Sequence, residues 1–326
     1  MSSPSVHYRV MRNHFILSSL MIAGTTSAVV IRHDVADQLY KNLGNEAQYA
    51  CVGRIDSTED GDAYTASGVY IGAHDGSSWL LTAAHNNLGA ASAATVRFGE
   101  NTFTLDRTSW LDYSGGSLVP GKNDLALIKI LNLADAPTAA RFVSSTLMIS
   151  TEGANKPIGT SVGFGKSGNG NTGWVGDPGI KRGFRNRLEF VNLHVDAGAN
   201  SVDYWGYWSD FDNGAANGNQ LNIPPLIVSS ATQLDLEGIT APGDSGGGLF
   251  ATKDGAERLV GITSTSSPGI GDVDGAYGSK TRWTAITAAS SAWITQRTGI
   301  AAVPEPSAMV ALGFGIASLM RRKIRR

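Results

Sequence analysis

Three stretches carry side chains that can act together on a carbonyl group. His85 closes the apolar run Trp79-Leu80-Leu81-Thr82-Ala83-Ala84-His85, whose small residues let the backbone pack closely while the imidazole faces a cleft. An imidazole can take or give a proton near neutral pH. Asp124 opens the strand-like run Asn123 to Ile128. A carboxylate there is costly to bury unless hydrogen-bonded, and orienting an imidazole supplies that bond. Ser245 lies in Gly243-Asp244-Ser245-Gly246-Gly247, a tight turn that exposes a hydroxyl together with neighbouring N–H groups. The amides of Gly243 and Ser245 can then stabilise a tetrahedral oxyanion. Each stretch alone is unremarkable in composition. All three together, in the order His, Asp, Ser, point to nucleophilic acyl transfer.

On these residues the chain resembles the chymotrypsin-like (trypsin-family) serine peptidases. Leu81 to His85, Asn123 to Ile128 and Gly243 to Gly247 carry the resemblance, with weaker support from Gly261-Ile262-Thr263-Ser264, Tyr277 and Trp293-Ile294. It spans about residues 50–298. It implies an all-β fold of two antiparallel six-stranded β-barrels, about 46–135 and 155–298, with the active site between them. It also implies that Ser245 is the nucleophile, His85 the general base and then acid, and Asp124 the residue holding the imidazole in its productive tautomer. The expected activity is a serine endopeptidase acting on polypeptides through an acyl-enzyme, with no cofactor and no metal. An esterase with the same triad and an inactive binding module at the cell envelope are the competing readings. The filled triad positions argue against the inactive module.

The resemblance extends to specificity and activation. The residue six before the nucleophile usually floors the primary pocket, and here it is Ile239, followed by Thr240. Walls are expected from Ser264, Thr265 and Ser266 and from Gly275 and Ala276, with Asp272 and Asp274 close by in sequence. An apolar floor disfavours Lys or Arg, because a buried cation needs a paired charge. The expected preference is an apolar or small residue before the scissile bond. Asp244 is the expected partner of a new N-terminal ammonium; cleavage after Ala28 would leave Val29-Val30-Ile31, an apolar start of the right type. The chain departs from the family at Asn86, where many members have Cys, and at Gly248, where Pro is frequent. The spacing of Asp124 and Ser245 is long for the family and places an insertion at 165–225.

The elements that must hold these residues are short. β-type runs at Ala66 to Ile71, Trp79 to Thr82, Thr95 to Phe98, Leu125 to Ile130, Leu188 to Val195 and Leu259 to Thr263 alternate with Gly, Asn and Asp turns. A single clear helical stretch, about 285–296, follows them. Residues 165–225 read as long surface loops. The 40 glycines and 17% charged residues suit a turn-rich β protein, and the one cysteine, Cys51, excludes an internal disulfide.

Both ends read as targeting segments. Arg9 and Arg12, an apolar run from Phe15 to Ala23 and small residues at Thr26-Ser27-Ala28 make 1–28 a secretory signal. That leaves a peptidase region at 29–302. Residues 303–326 resemble a PEP-CTERM sorting signal: Pro304-Glu305-Pro306, an apolar run from Ala308 to Met320, and the basic end Arg321 to Arg326. The resemblance implies an exosortase-like processing enzyme as a partner and export to a bacterial cell envelope, at its surface, in the periplasm or beyond. The membrane is contacted at least transiently through this segment, for which a plain anchor is the alternative. The signal has two basic residues and no acidic one, and the tail has five basic residues and Glu305. Of the 26 basic and 28 acidic residues in the chain, the body between therefore keeps 19 and 27, a net charge of −8. So acidic a body excludes nucleic acid as an expected partner.

Three other motifs are set aside. Gly163-Phe164-Gly165-Lys166-Ser167-Gly168 fits a dinucleotide pattern but precedes Asn169-Gly170-Asn171 rather than a helix. Asp210-Phe211-Asp212-Asn213-Gly214 misses the spacing of a calcium loop by one position. The aromatic cluster Tyr204-Trp205 and Tyr207-Trp208 reads as packed core or a loop anchor.

Overall fold

Apolar runs of four to eight residues between turn formers favour strands over helices, and strands dominate. The computed structural model describes residues 29–150, 156–196, 201–224 and 227–304. The signal segment and nearly all of the sorting segment therefore lie outside the described residues. A short strand, β1 (Val29–Ile31), leads to helix α1 (Asp37–Gly44). Six strands then close an antiparallel barrel: β2 (Val52–Glu59), β3 (Asp62–His74), β4 (Ser77–Thr82), β5 (Ala93–Phe98), β6 (Asn101–Asp112) and β7 (Ala126–Ile130). Their order round the barrel is β2-β3-β4-β7-β6-β5.

The second half contains β8 (Ile158–Gly163), β9 (Ser167–Asn169), β10 (Gly173–Trp174), β11 (Arg182–Arg187), β12 (Phe190–Asp196), β13 (Ser201–Asp210), β14 (Gly238–Ile239), β15 (Gly248–Lys253), β16 (Ala256–Ser267) and β17 (Lys280–Ala285). Seven of these form a curled sheet in the order β11-β8-β15-β16-β17-β13-β12, where a second closed six-stranded barrel was expected. The difference arises at 165–225. This region, read as surface loops apart from the strand run Leu188 to Val195, supplies β11 and the hairpin β12–β13, which extends one edge of the sheet beyond β17. A separate small sheet, β10-β9-β1-β14, takes the N-terminal strand.

After β17 comes helix α2 (Ala288–Thr298), close to its expected place. Thr287 and Ser290 form a reciprocal capping box at its start, and Gly299 ends it with a φ of 74°. Helix α1 was not expected. It buries Tyr40 and Leu43, and its Asp37 pairs with the fully buried Arg182 of β11 at 2.5 Å. Ile55, Leu80, Leu81 and Leu127 of the barrel share one apolar core with Phe184, Leu249, Ile262 and Trp283 of the second half. Burial of that kind supplies the cohesion that disulfides would otherwise add. Cys51 is unpaired within this core; burial pushes its thiol up to about 12, which leaves it unreactive.

Candidate active site

Strand pairing builds the site. Strands β4 and β7 are antiparallel neighbours with Thr82 opposite Ala126 and Leu81 opposite Leu127. The end of β4 and the start of β7 therefore lie side by side at one rim of the barrel. Beyond Thr82 the chain makes one 3-10 turn, Ala84–Asn86, which Asn87 closes with a left-handed φ of 47°. That turn carries His85, and Asp124 lies two residues before Ala126, so the two side chains meet. Asp124 is fully buried; its Oδ2 lies 2.7 Å from His85 Nδ1, and its Oδ1 accepts the His85 backbone N–H at 3.0 Å.

Ser245 comes from the other half, in the turn before β15. His85 Nε2 lies 2.7 Å from Ser245 Oγ. The turn is fixed from behind by bonds to the barrel. The Ser67 N–H donates to the Ser245 carbonyl at 2.9 Å, and Ser67 Oγ donates to the Gly243 carbonyl at 2.8 Å. Asn86 Nδ2 donates to the Ser245 carbonyl at 3.2 Å and to Thr82 Oγ1 at 2.9 Å. Gly246 must be glycine here: its φ is +86°, and a Cβ would stand 2.1 Å from Ser67 O and from Thr82 Oγ1. Among the described residues, neither the Gly243 nor the Ser245 amide donates a hydrogen bond. Both remain available to an incoming oxygen.

Electrostatics follow from this geometry. Burial works to raise the Asp124 carboxyl, but the His85 ring, Ser264 and the His85 amide outweigh it and hold the group below its ordinary value. Ser264 Oγ donates to Asp124 Oδ2 at 2.5 Å and accepts the Gly121 N–H at 2.7 Å. Asp124 thus stays ionised, with both oxygens engaged. With Nδ1–H directed at that carboxylate, Nε2 is the ring's acceptor and the Ser245 hydroxyl its donor. This arrangement can remove the serine proton as the oxygen attacks.

Beside Ser245 opens a cavity of about 220 Å³ lined by Thr240, Ala241, Pro242, Thr263, Ser264, Thr265 and Ser266. Of the residues named from the sequence for the pocket, Thr240 and the three at 264–266 are in this lining. Ile239 does not line it. It is fully buried and packs with Val30, Phe211, Ala241 and Tyr277, because β14 pairs it with Val30 of β1. Gly275 is also away from the cavity, packed against Trp174 and Val30, and Ala276 is buried without joining the lining. Asp272 and Asp274 are likewise absent from the lining. The wall is therefore mostly hydroxyl-bearing.

Asp244 is buried, and its carboxylate accepts the N–H groups of Gly165 at 2.7 Å and Ala241 at 2.9 Å. Burial pushes it up to about 7 against those bonds and the more distant Arg182. Val29 sits opposite Ser167 and its neighbour Val30 opposite Ile239. The two amides that hold Asp244 lie two residues from those partners, just beyond the ends of the strands that flank β1. The bonding roles of Ser67, Thr82 and Gly121 were not anticipated. No local motif marks Ser67 or Gly121, since each acts on a residue far away in the chain, and Thr82, though inside the run that ends at His85, bonds to Ser67 on another strand. Among the described residues no group of three or more His, Cys, Asp or Glu is arranged to hold a metal ion. Asp210 and Asp212 of the near-miss calcium motif are buried. No helix among the described residues is long and apolar enough to cross a membrane.

Comparison with known proteins adds two findings. Residues 302–326 match the PEP-CTERM protein-sorting motif, which indicates an exported protein sorted to the envelope. No curated protein matches the chain. Among solved structures, HL collagenase is similar at 21% identity and a TM-score of 0.48, covering 78% of this chain and 96% of its own. The protease Anisep from Arthrobacter nicotinovorans is similar at 12% identity and a TM-score of 0.47, covering 78% and 98%. The active form of the Rv3671c protease from M. tuberculosis gives 16% identity and a TM-score of 0.42, covering 92% and 97%.

Proposed function

We propose that this chain is an exported serine endopeptidase that hydrolyses peptide bonds through an acyl-enzyme. The observation that carries the reading is the unbroken relay from Asp124 through His85 to Ser245, with the free Gly243 and Ser245 amides beside the hydroxyl. Ser245 Oγ adds to the scissile carbonyl as its proton passes to His85 Nε2, and Asp124 stabilises the resulting imidazolium. The two amides receive the oxyanion. Collapse breaks the C–N bond, His85 returns the proton to the leaving amine, and an ester to Ser245 remains. Water then attacks this ester with His85 again as base, releasing the acid and restoring the serine.

The cavity beside Ser245 has no charged residue in its lining. A Lys, Arg, Asp or Glu side chain placed there would be buried without a partner. An apolar or small residue before the scissile bond fits it best. The sorting motif supports action at the envelope, after processing by an exosortase-like partner and passage through a membrane-bound stage.

The test is covalent labelling by a fluorophosphonate, followed by cleavage of a peptide panel. Labelling that Ser245→Ala abolishes, with peptide cleavage after apolar or small residues, is the expected result. Ester hydrolysis without peptide cleavage would favour the esterase. No labelling of the processed protein would favour the binding module.

A further inference from the structure

Next to the site lies Arg282, a cation with no salt-bridge partner among the described residues. It lies on β17 opposite Thr265 of β16 on one side and Trp208 of β13 on the other. Thr265 lines the cavity beside Ser245. The guanidinium carbon sits 4.9 Å from the Trp208 ring centre and 6.0 Å from that of Trp205. Such stacking favours the cation but satisfies none of its N–H groups. Arg282 forms no salt bridge or hydrogen bond among the described residues, and its buried Nε has no acceptor. The indole N–H groups of Trp205 and Trp208 are also buried without acceptors. Three donors thus cluster with no acceptor among the described residues, an arrangement that is costly until an acceptor arrives.

Gly121 keeps this cluster close to the catalytic groups. A Cβ at Gly121 would stand 2.1 Å from Arg282 Nε, so any side chain there would displace the guanidinium. The Gly121 amide in turn donates to Ser264, which donates to Asp124. Asp124 favours the charge on Arg282 from a distance, but its oxygens are already taken by His85 and Ser264. Among the described residues none supplies the acceptor, which leaves that place to a group of the substrate.

We propose that Arg282, backed by Trp205 and Trp208 and lying against the side-chain-free Gly121, is an extended specificity subsite for a substrate carboxylate, and that the enzyme favours Asp or Glu two or four residues before the scissile bond. This rests on the peptidase reading above. A planar guanidinium matches a carboxylate fork better than any other peptide group. Side chains of an extended peptide alternate in direction. With the residue before the scissile bond in the cavity, the second and fourth share the opposite side, and the absence of a side chain at Gly121 lets the guanidinium lie close to the catalytic groups.

The experiment is a positional scan of fluorogenic peptides, each carrying Ala, Glu or Lys at one of the four positions before the bond. The wild type should favour Glu over Ala at the second or fourth position by about tenfold in kcat/KM, equal to about 1.4 kcal/mol. The preference should shrink as salt is raised. Arg282→Gln should bring the ratio of Glu to Ala peptides near one, and Arg282→Glu should turn the preference toward Lys. A reversal cannot come from misfolding. Wild-type turnover with equal rates for Glu and Ala would overturn the subsite while leaving the peptidase reading standing. A wild-type preference that persists in Arg282→Gln would remove Arg282 from it. No cleavage of any peptide together with no fluorophosphonate labelling would overturn the peptidase reading and the subsite with it.

Discussion

Thr82 faces Ala126 across strands β4 and β7, and this one pairing sets His85 beside Asp124. The two residues are 39 positions apart in sequence, yet the barrel rim brings their side chains to 2.7 Å. Asp124 is then held by three donors: the His85 ring, the His85 amide and Ser264. A carboxylate so engaged fixes the imidazole as well as charging it.

Replacing Asp124 by Asn should therefore damage turnover far more than binding. The amide would present a donor to Nδ1 and favour the tautomer whose Nε2 already carries a proton. Loss of the productive tautomer costs about four orders of magnitude in kcat where the same constellation operates. Steady-state kinetics should show kcat falling by roughly that factor with KM changed only a few-fold. A variant retaining a tenth of wild-type kcat would remove Asp124 from the mechanism.

Ser67 offers a second test, at a residue that touches no substrate. Its hydroxyl donates to Gly243 O and accepts the buried Phe164 N–H at 3.0 Å. Ser67→Ala strands that amide without an acceptor, which costs about 1–3 kcal/mol. It also loosens the peptide next to the proposed oxyanion hole. Denaturant titration should show the loss of stability, and kcat should fall about tenfold or more with KM nearly constant, the pattern for a group acting on the transition state. Equal kcat in a measurably destabilised variant would leave Ser67 a purely structural role.

How much of this could be read in advance depends on the range of the interaction. Trp79 to Thr82 and Leu125 to Ile130 carry their own strand signal, so the elements holding His85 and Asp124 were legible. Ser245 was legible because its glycines are neighbours in sequence. The orientation of Ile239 was not, since β14 has two residues and its partner, Val30, lies over 200 positions earlier. Helix α1 has no side-chain cap at Ala36, and its place depends on the distant Arg182. Strand β12 was legible as the run Leu188 to Val195, but its partner β13 lay hidden in a region rich in Gly, Asn and Asp, where composition favours loops and only pairing with β12 and β17 reveals the strand.

The N-terminus supplies a third prediction. In a chain cleaved after Ala28, the Val29 ammonium would lie by the Asp244 site and pair with its carboxylate. An α-amino group has a pKa of about 8 when free, and pairing raises it. The stability it brings is complete below that value and is lost as pH rises through the raised one. In the uncleaved chain Asp244, with its value near 7, works in the same sense at lower pH: burial favours its neutral form, and the stability that form brings is complete below about pH 4 and lost as pH rises to 7. The cleaved protein should thus be active at pH 7 and lose activity above about pH 9, and acetylation of Val29 should abolish it. N-terminal sequencing of active protein should read Val-Val-Ile, and a start elsewhere would reject the assignment.

Four buried carboxyl groups in the second half give the last prediction. Burial pushes Glu189 up to about 7, Asp210 to about 6, Asp212 to about 9 and Glu237 to about 8. Asp210 adds to the rise at the other three, and Glu237 and Glu189 add to it at Asp212. Each group binds its proton more tightly folded than unfolded, where a carboxyl titrates near 4. Their contribution is complete below about pH 4 and is lost progressively as pH rises through 6 to 9. Thermal unfolding of the Ser245→Ala protein, which avoids self-digestion, should show Tm falling between pH 5 and 9. Asp212→Asn should flatten that slope, because the amide keeps the site neutral at every pH. A Tm that instead rises across this range in both proteins would mean that these carboxyls are ionised in the native state.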